Sequence, residues 1–334
     1  MKLKKLILAG VLAALTFCAA SCGNNNDRPG GTSGTTTTPP TSATTTTTTS
    51  MTTTADTMDG EYDAGKDGIV TEDGEEDMPD SGSPADSSDT ESSVKKDEAA
   101  FASSYIGTTA LKETKIGWGL GKERDGNNRP IDAVRAEEKY SALGGRFLTS
   151  EGKICLTFDE GYENGQTAAI LDTLKEKQVK AVFFVTYDYC RTAPELVRRM
   201  IDEGHVVGNH TWSHPSLPDC SQKEVWSEVT QLHQYVKDEF GYEMTLFRFP
   251  MGEFSERTLD DVHNLGYTSL FWSFAYADWD PNKPADPAEA LAKIKDSTHS
   301  GIYLLHAVSE TNAKILAPLI DFWHSQGYEV GASL

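Results

Sequence analysis

The stretch that most constrains the fold covers residues 153–162, with the sequence KICLTFDEGY. Its apolar part, Ile154–Phe158, predicts a buried strand that ends in two adjacent carboxylates, Asp159 and Glu160. Gly161 then allows the chain to turn sharply before a helical pattern of apolar residues begins. Because burying charge is costly without a partner, this pair at a strand tip indicates a binding or proton-transfer site.

Short apolar runs and amphipathic helical patterns alternate along the rest of the chain. Such alternation over about 200 residues predicts an α/β fold with a parallel sheet, either a barrel or an open wound sheet. The predicted strands are Ile154–Phe158, Ala181–Val185, Val206–Asn209, Leu246–Phe247, Ser269–Ser273, Ile302–Leu305 and Glu329–Val330. The predicted helices are Gly165–Lys177, Pro194–Glu203, Gln222–Phe240, Ser255–Leu265, Pro287–Ser297 and Asn312–Gln326.

The N-terminal part of the chain has a different composition. A basic start is followed by the apolar segment Leu6–Ala20, which is too short for a lasting membrane span, and by small residues. This pattern is typical of a secretory signal. The residues around Cys22 resemble the lipobox of bacterial lipoproteins, which implies that residues 1–22 are a signal and that Cys22 carries the lipid. An ordinary cleaved signal is the alternative. We expect a protein anchored to the outer face of the bacterial cell membrane.

Residues 23–100 predict a disordered tether. Threonine runs and prolines come first, and residues 56–100 then contain 16 acidic side chains and three lysines. A segment of this composition cannot bury enough apolar surface to fold. Much of the chain's net charge of −21 therefore belongs to the tether. No basic patch stands out, which argues against a nucleic-acid partner.

The cysteines do not indicate a disulfide framework. Cys18 belongs to the signal and Cys22 to the anchor, so Cys155, Cys190 and Cys220 remain in the rest of the chain. Three is an odd number, and the only pair that we consider joins the last two.

Six polar side chains occupy the same kind of position, at or just beyond the C-terminal end of a predicted strand. In a parallel barrel these ends gather on one face, and that face carries the active site. The sequence therefore predicts one site from residues that lie far apart in the chain. They are Asp159, Glu160, His210, Arg248, Asp278 and His306.

His210 and His214 lie four residues apart, on one helical turn or across a tight loop, so that both imidazoles can reach one ion. With a carboxylate from Asp159 or Glu160 they would form a set of two histidines and one carboxylate. Such a set leaves positions open for water and substrate, as catalytic metal sites do. A chance surface pair is the alternative, since this spacing is common.

The other polar residues also allow two interpretations. Arg248 begins a turn-forming stretch and would either pair with a catalytic carboxylate or form a surface ion pair. Asp278 and Trp279 follow an aromatic run that suits a sugar ring but is more typical of a core. His306 ends an apolar strand, where a structural histidine is the alternative to a catalyst.

Taken together, these segments resemble the polysaccharide deacetylase family of carbohydrate esterases. The five motifs occur in the family's order at residues 157–161, 210–214, 248–252, 278–279 and 304–306. The resemblance covers about residues 150–334. It implies an irregular (β/α) barrel and the metal-assisted removal of an N-acetyl group from an amino sugar.

Further segments resemble the branch of the family that deacetylates N-acetylmuramic acid in peptidoglycan. They are residues 161–165, 271–279 and 305–313, together with a preceding segment like Ile116–Gly119. The resemblance implies that residues 101–150 form an N-terminal segment of the catalytic region and 151–334 the deacetylase domain. We expect a monomer whose partners are peptidoglycan glycan strands and, through its anchor, the membrane.

Residue roles follow from the resemblance. His210 and His214 bind a divalent metal ion (Zn, Co, Mn or Mg), with Glu160 in the position of the family's metal-binding Asp. Asp159 is the general base, and His306 is the general acid. The Glu is a departure, because the family usually has Asp there and the muramic branch often Asn.

The resemblance also assigns supporting residues. Asp278 keeps His306 oriented or charged, and Arg248 holds Asp159 or its partner in place. Tyr162, through its backbone N–H, Pro250 and Trp279 are expected to contact substrate.

Other functions stay open at this point. A chitooligosaccharide or poly-N-acetylglucosamine deacetylase and an acetylxylan esterase belong to the same class of enzyme. A non-catalytic glycan-binding lipoprotein and a lipid-anchored spacer or adhesin belong to other classes. The departure at Glu160 favours the binder, whereas the presence of Asp159, His210, His214 and His306 argues against it.

Overall fold

The computed structural model describes residues 111–334. The predictions for the signal at 1–22, its lipid-bearing Cys22 and the tether at 23–100 lie outside the described residues. Within the described part, no helix combines the length and apolar character that a membrane span requires.

Strands and helices alternate through this region, which confirms the α/β prediction. The strands are β1 (Ile116–Gly117), β2 (Gly145–Arg146), β3 (Lys153–Glu160), β4 (Val182–Val185), β5 (Val206–Asn209), β6 (Leu246–Phe247), β7 (Glu253–Phe254), β8 (Thr268–Leu270), β9 (Gly301–His306) and β10 (Glu329–Gly331). The helices are α1 (Ile131–Tyr140), α2 (Thr167–Lys177), α3 (Tyr187–Thr192), α4 (Pro194–Asp202), α5 (Gln222–Phe240), α6 (Glu256–Asn264), α7 (Pro287–Asp296) and α8 (Glu310–Ser325). Short 3₁₀ turns cover Ser141–Leu143, Leu217–Asp219 and Pro250–Gly252.

Strand β3 is the centre of the main sheet. The strand order is β10-β3-β4-β5-β6-β8-β2, with β9 also paired to β3, and every pairing in this sheet is parallel. The register places Asp159 beside His306 of β9. Because all these strands run in the same direction, their C-terminal ends meet at one edge, as the site prediction requires.

The two faces of β3 pack against different layers. Leu156 and Phe158 join a large core that also includes Ile170 of α2 and Leu316 of α8. Cys155 instead belongs to a smaller cluster of side chains from neighbouring strands. Because side chains alternate along a strand, Asp159 follows Cys155 on the inner face, and Glu160 follows Phe158 on the face covered by helices.

Local signals explain the best-predicted helix, α5. Ser221 accepts a hydrogen bond from the backbone N–H of Glu224, whose side chain in turn accepts from the backbone of Ser221. This capping box starts the helix, and Gly241 ends it in a left-handed conformation with a φ of 68°. The predicted bounds, Gln222–Phe240, are confirmed.

Some local predictions were wrong. The strand predicted at Ser269–Ser273 ends at Leu270, because the chain then leaves β8 and the N–H of Ser273 donates to Ile302. Helices α1 and α3 were not predicted. Cys190 and Cys220 are both free, so they form no disulfide.

Candidate active site

The sheet brings together the polar residues that the sequence singled out, with one exception. Strand β3 supplies Asp159, the residues after β5 and β6 supply His210 and Arg248, and β9 ends in His306. Asp278 lies in the loop after β8. All five are at the same edge of the sheet, and Glu160 is the exception described below.

A buried ion pair forms the floor of the site. Arg248 is fully buried, and its Nη1 donates to Oδ1 of Asp159 at 2.8 Å and to Oγ1 of Thr157 at 2.8 Å. Its Nε donates to the carbonyl of Leu270, and the guanidinium lies 4.3 Å from the ring centre of Phe184. The predicted contact between Arg248 and Asp159 is therefore present, and the arginine is held on several sides.

The ion pair keeps Asp159 charged. Burial alone would raise the pKa of Asp159, but the charge of Arg248, followed by those of His210 and His306, lowers it below its usual value. An ionised carboxylate that faces a site is the form that can accept a proton.

The two histidines of the second motif face each other across a loop. His210 Nδ1 donates to the carbonyl of Arg248 at 2.9 Å, which leaves Nε2 as the nitrogen with a free lone pair. His214 Nε2 lies 3.2 Å from it. Burial lowers the pKa of His210, and burial together with His210 lowers the pKa of His214 to about 3. Both rings are therefore neutral near pH 7, as metal ligands must be.

The histidine loop holds an unusual backbone. Thr211 and His214 have φ angles of 71° and 59°, in the left-handed region that a β-branched residue rarely adopts. Asn209 Oδ1 accepts from the N–H of Thr211, and the Glu228 carboxylate accepts from the N–H and hydroxyl of Ser213. Asn209 and Glu228 were missed in the sequence, although an Asn directly before the motif was visible.

The pair of imidazoles fits a shared ion in spacing and protonation. Two nitrogens that bind one tetrahedral ion at 2.0–2.1 Å lie about 3.3 Å apart, close to the 3.2 Å found here. Asp159 Oδ2 is 3.6 Å from His210 Nε2. Even so, residues 111–334 contain no group of three or more His, Cys, Asp or Glu arranged as metal ligands. The pair lacks a third protein ligand in this arrangement.

The structure does not bring Glu160 to the histidines. Its side chain is fully buried, and neither carboxylate oxygen has a hydrogen-bond partner in the described chain. Burial, followed by the charges of Glu163 and Asp159, raises the pKa of Glu160 well above its usual value, and the nearby Thr167 hydroxyl, whose geometry falls short of a hydrogen bond, opposes this only weakly. The geometry therefore does not support the assignment of Glu160 as the metal ligand, because strand alternation turns it away from the inner face.

His306 is paired with Asp278 as the sequence predicted. Asp278 Oδ1 accepts from His306 Nδ1 at 2.7 Å, and Oδ2 accepts from the backbone N–H of His306 at 2.9 Å. Burial alone would lower the pKa of His306, but the charge and hydrogen bond of Asp278, followed by the charge of Asp159, raise it. This histidine therefore holds its second proton better than a free imidazole does.

Two aromatic side chains mark the rim of the site. Tyr162 follows the tip of β3 and Trp279 follows Asp278, with 45% and 49% of their surface exposed, and they are the exposed large hydrophobic residues of the described chain. Such faces suit the apolar side of a sugar ring. Pro250 is instead buried in its turn and offers little surface to a substrate.

The segment before the barrel supports the arginine turn. The N–H of Trp118 donates to the carbonyl of Gly252, and its indole donates to the carbonyl of Trp272. Gly252 has a φ of 68°, and a Cβ there would come within 2.6 Å of the Trp272 ring. The turn after Arg248 therefore needs a glycine at this position.

Comparisons with known proteins agree with this fold and site. The polysaccharide deacetylase profile matches residues 148–270. An uncharacterized 30.6 kDa protein of Geobacillus stearothermophilus is 42% identical over 226 residues, 66% of this chain and 84% of that protein. Peptidoglycan-N-acetylmuramic acid deacetylase PdaA of Bacillus subtilis is 39% identical over 227 residues, with the same coverage.

The solved structure of Bacillus subtilis PdaA, described as a family 4 carbohydrate esterase, has a similar fold. The TM-score is 0.63 with 35% sequence identity, and the match covers 66% of this chain and 96% of that one. The irregular (β/α) barrel that the motifs implied is thereby confirmed.

Proposed function

The chain belongs to the polysaccharide deacetylase family, and on that premise we propose that it hydrolyses N-acetyl groups of amino sugars in peptidoglycan and releases acetate. N-acetylmuramic acid is the favoured sugar residue. The match to PdaA of Bacillus subtilis covers 66% of this chain, and PdaA is named as a deacetylase of that sugar. The observation that carries the proposal is the ionised Asp159, paired with Arg248 and facing two neutral imidazoles and His306.

The proton transfers use one group with a lowered pKa and one group with a raised pKa. Asp159, with its lowered pKa, takes a proton from the attacking water, and His306, with its raised pKa, gives a proton to the leaving amine. The water oxygen forms a bond to the acetyl carbonyl carbon, and the bond from that carbon to nitrogen then breaks. The products are acetate and a free amine on the sugar.

Arg248 and Asp278 support these two groups. Arg248 keeps Asp159 ionised and in place, and Asp278 fixes the His306 tautomer with its proton on Nδ1. The carbonyl oxygen, which gains negative charge, needs a donor such as the backbone N–H of Tyr162 at the strand tip.

A divalent metal ion fits the remaining part of the site. His210 and His214 would hold it through Nε2, and the other positions around the ion would be left to water and substrate. When bound, the ion supplies Lewis-acid polarisation of the carbonyl and of water.

The rim favours a glycan as substrate. Tyr162 and Trp279 offer the stacking surfaces, and both lie beside residues that carry the chemistry.

Incubating the full chain with defined muropeptides and divalent metal tests the proposal. Acetate release with loss of an acetyl group from the muramic fragment in mass spectra is the expected result. Loss from glucosamine alone would move the substrate to that sugar, and no release under any metal would refute the activity.

We also propose that the chain is lipid-anchored in the cell-wall space. The lipobox-like sequence at Cys22 and the threonine-rich and acidic residues 23–100 support this. Labelled palmitate should be incorporated by the wild type and not by Cys22→Ser, which should also leave the membrane fraction. Incorporation by both would refute the anchor at this residue.

A further inference from the structure

The buried Asp278 carboxylate has a third partner beside the two nitrogens of His306. Asn312 Nδ2 donates to Asp278 Oδ2 at 2.6 Å and to the carbonyl of His306 at 3.0 Å. Asn312 is fully buried at the first turn of α8, where its own N–H donates to the N-cap Ser309. One amide thus contacts both members of the acid pair, from a helix that carries neither.

The Tyr276 hydroxyl binds the remaining polar atom of this amide. The hydroxyl donates to Oδ1 of Asn312, and the two hydrogens of Nδ2 are donated to Asp278 and to the carbonyl of His306. With the amide turned over, its oxygen would face the carboxylate of Asp278 and the carbonyl of His306, which are both acceptors. Asp278 and His306 therefore allow only one orientation, and the hydroxyl of Tyr276 holds the amide in it.

The arrangement also joins two separate parts of the chain. Tyr276 and Asp278 belong to the loop after β8, whereas His306 ends β9 and Asn312 begins α8. Thr311 adds a further contact, through its hydroxyl, to the carbonyl of Ala285. Backbone hydrogen bonds between Phe274 and β9 also join the loop to this strand, and the amide adds a link at His306 itself.

We propose that Asn312, held in place by Tyr276, is a positioning residue that holds Asp278 against His306 and so aims the imidazole at the leaving amine. The inference rests on the proposed deacetylation. A buried amide could also serve stability alone. In that case its loss would reduce the amount of folded protein without changing the turnover of the folded molecules.

The test measures kcat and KM for acetate release by the full chain with Asn312→Ala and Tyr276→Phe. We expect kcat to fall about 10–100-fold for Asn312→Ala, in the range seen when residues that orient a reacting group are removed. Tyr276→Phe removes a single hydroxyl and should lower kcat by about 2–10-fold. KM and the affinity for zinc should stay within about twofold of the wild type, because the metal and sugar contacts are unchanged.

Tyr242→Phe is the matched control. Its hydroxyl also makes a hydrogen bond, accepting from the N–H of Val207 at 3.2 Å, but it lies away from the acid pair. It should leave kcat unchanged. If Asn312→Ala does not fold, Tyr276→Phe decides. Equal kcat for Tyr276→Phe and the control, or a loss that appears only in KM or zinc affinity, would overturn the proposal.

A second readout does not depend on activity. Ring-nitrogen NMR at a pH above the raised pKa of His306, where the ring is neutral, reports which nitrogen carries the proton, and His306→Gln assigns the signal. We expect the Nδ1–H form in the wild type and a mixture in Tyr276→Phe and Asn312→Ala. An unchanged tautomer in both variants would contradict the positioning role, whether or not the wild type releases acetate. Absence of acetate release from the wild type would by itself refute only the deacetylation.

Discussion

The two faces of strand β3 shift the pKa values of two neighbouring carboxylates in opposite directions. Asp159 and Glu160 are adjacent, and both are buried, with 7% and 0% of their surface exposed. The pKa of Asp159 is lowered and that of Glu160 is raised. Burial acts in the same direction on both, so the difference comes from the neighbouring charges: Asp159 has Arg248, whereas Glu160 has the like charges of Glu163 and Asp159.

This difference shows how one strand can supply a reactive group and a structural group from consecutive residues. The inner face gathers charge and hydrogen bonds around Asp159. The outer face places Glu160 in the layer between sheet and helices, where the neutral form of a carboxyl is favoured. The departure from the family's usual Asp at this position therefore falls on the side of the strand that does not face the histidines.

The largest expected effect is on turnover. Asp159→Asn should lower acetate release by about 10³-fold, because a positioned general base contributes about 10²–10⁴-fold. The isosteric change on the other face, Glu160→Gln, should change it by less than about tenfold. Initial rates at saturating metal measure both. An Asp159→Asn variant as active as Glu160→Gln would remove the distinction between the faces.

The next effect is on stability. Arg248→Ala should lower the free energy of unfolding by about 3–5 kcal/mol, because it leaves Asp159 buried without its counter-charge. Urea unfolding followed by circular dichroism measures the change. Arg191→Ala is the control, since that arginine pairs with Asp188 on the surface, and it should leave stability almost unchanged. Equal effects would show that the inner pair is solvated.

The third effect is a difference in pH dependence. The raised pKa of Glu160 stabilises the fold fully below the ordinary glutamate pKa of about 4.3, and this contribution is lost as pH rises towards the raised value. Glu160→Gln should therefore gain stability relative to the wild type as the pH rises above the ordinary glutamate pKa. Asp159→Asn should show the opposite sign, because a lowered pKa stabilises at higher pH and that contribution is lost on acidification. Slopes of the same sign would contradict the comparison.

The smallest effect concerns a hydroxyl on the inner face. Thr157 Oγ1 accepts from Arg248 and donates to the carbonyl of Tyr303 at 2.8 Å. Thr157→Val should lower the free energy of unfolding, measured by urea unfolding, by about 1–3 kcal/mol, because it leaves buried groups without a partner. Thr173→Val, on the exposed face of α2, serves as the control and should cost less. A larger loss in the control would place the stabilising contact elsewhere.

Much of this architecture could be predicted from local patterns. The bounds of β5, β6 and α5 are as predicted, because apolar runs, a capping box and a C-terminal glycine define them. Helix α3 was missed because Tyr187–Thr192 is a short segment with two aromatic residues, a composition that does not favour a helix. It forms because Thr186 caps it and the core takes up Tyr189.

The site was predicted as a set of residues but not as a geometry. Strand ends could be recognised, so Asp159, Arg248 and His306 were placed on one face. The direction of Glu160 could not be read from two adjacent acids, because it depends on how far β3 continues. The strand includes both residues, and alternation then separates them. Asn312 was missed because its partners lie 34 and 6 positions away in the chain.

The pH dependence of kcat/KM for acetate release by the full chain, at saturating metal, tests most directly which carboxylate is the base. With Asp159 as the base, we expect an acid limb at or below about pH 4, and with His306 as the acid, an alkaline limb above the ordinary histidine pKa of about 6.5. An acid limb above about pH 6 that disappears in Glu160→Gln would assign the base to Glu160 and contradict the account.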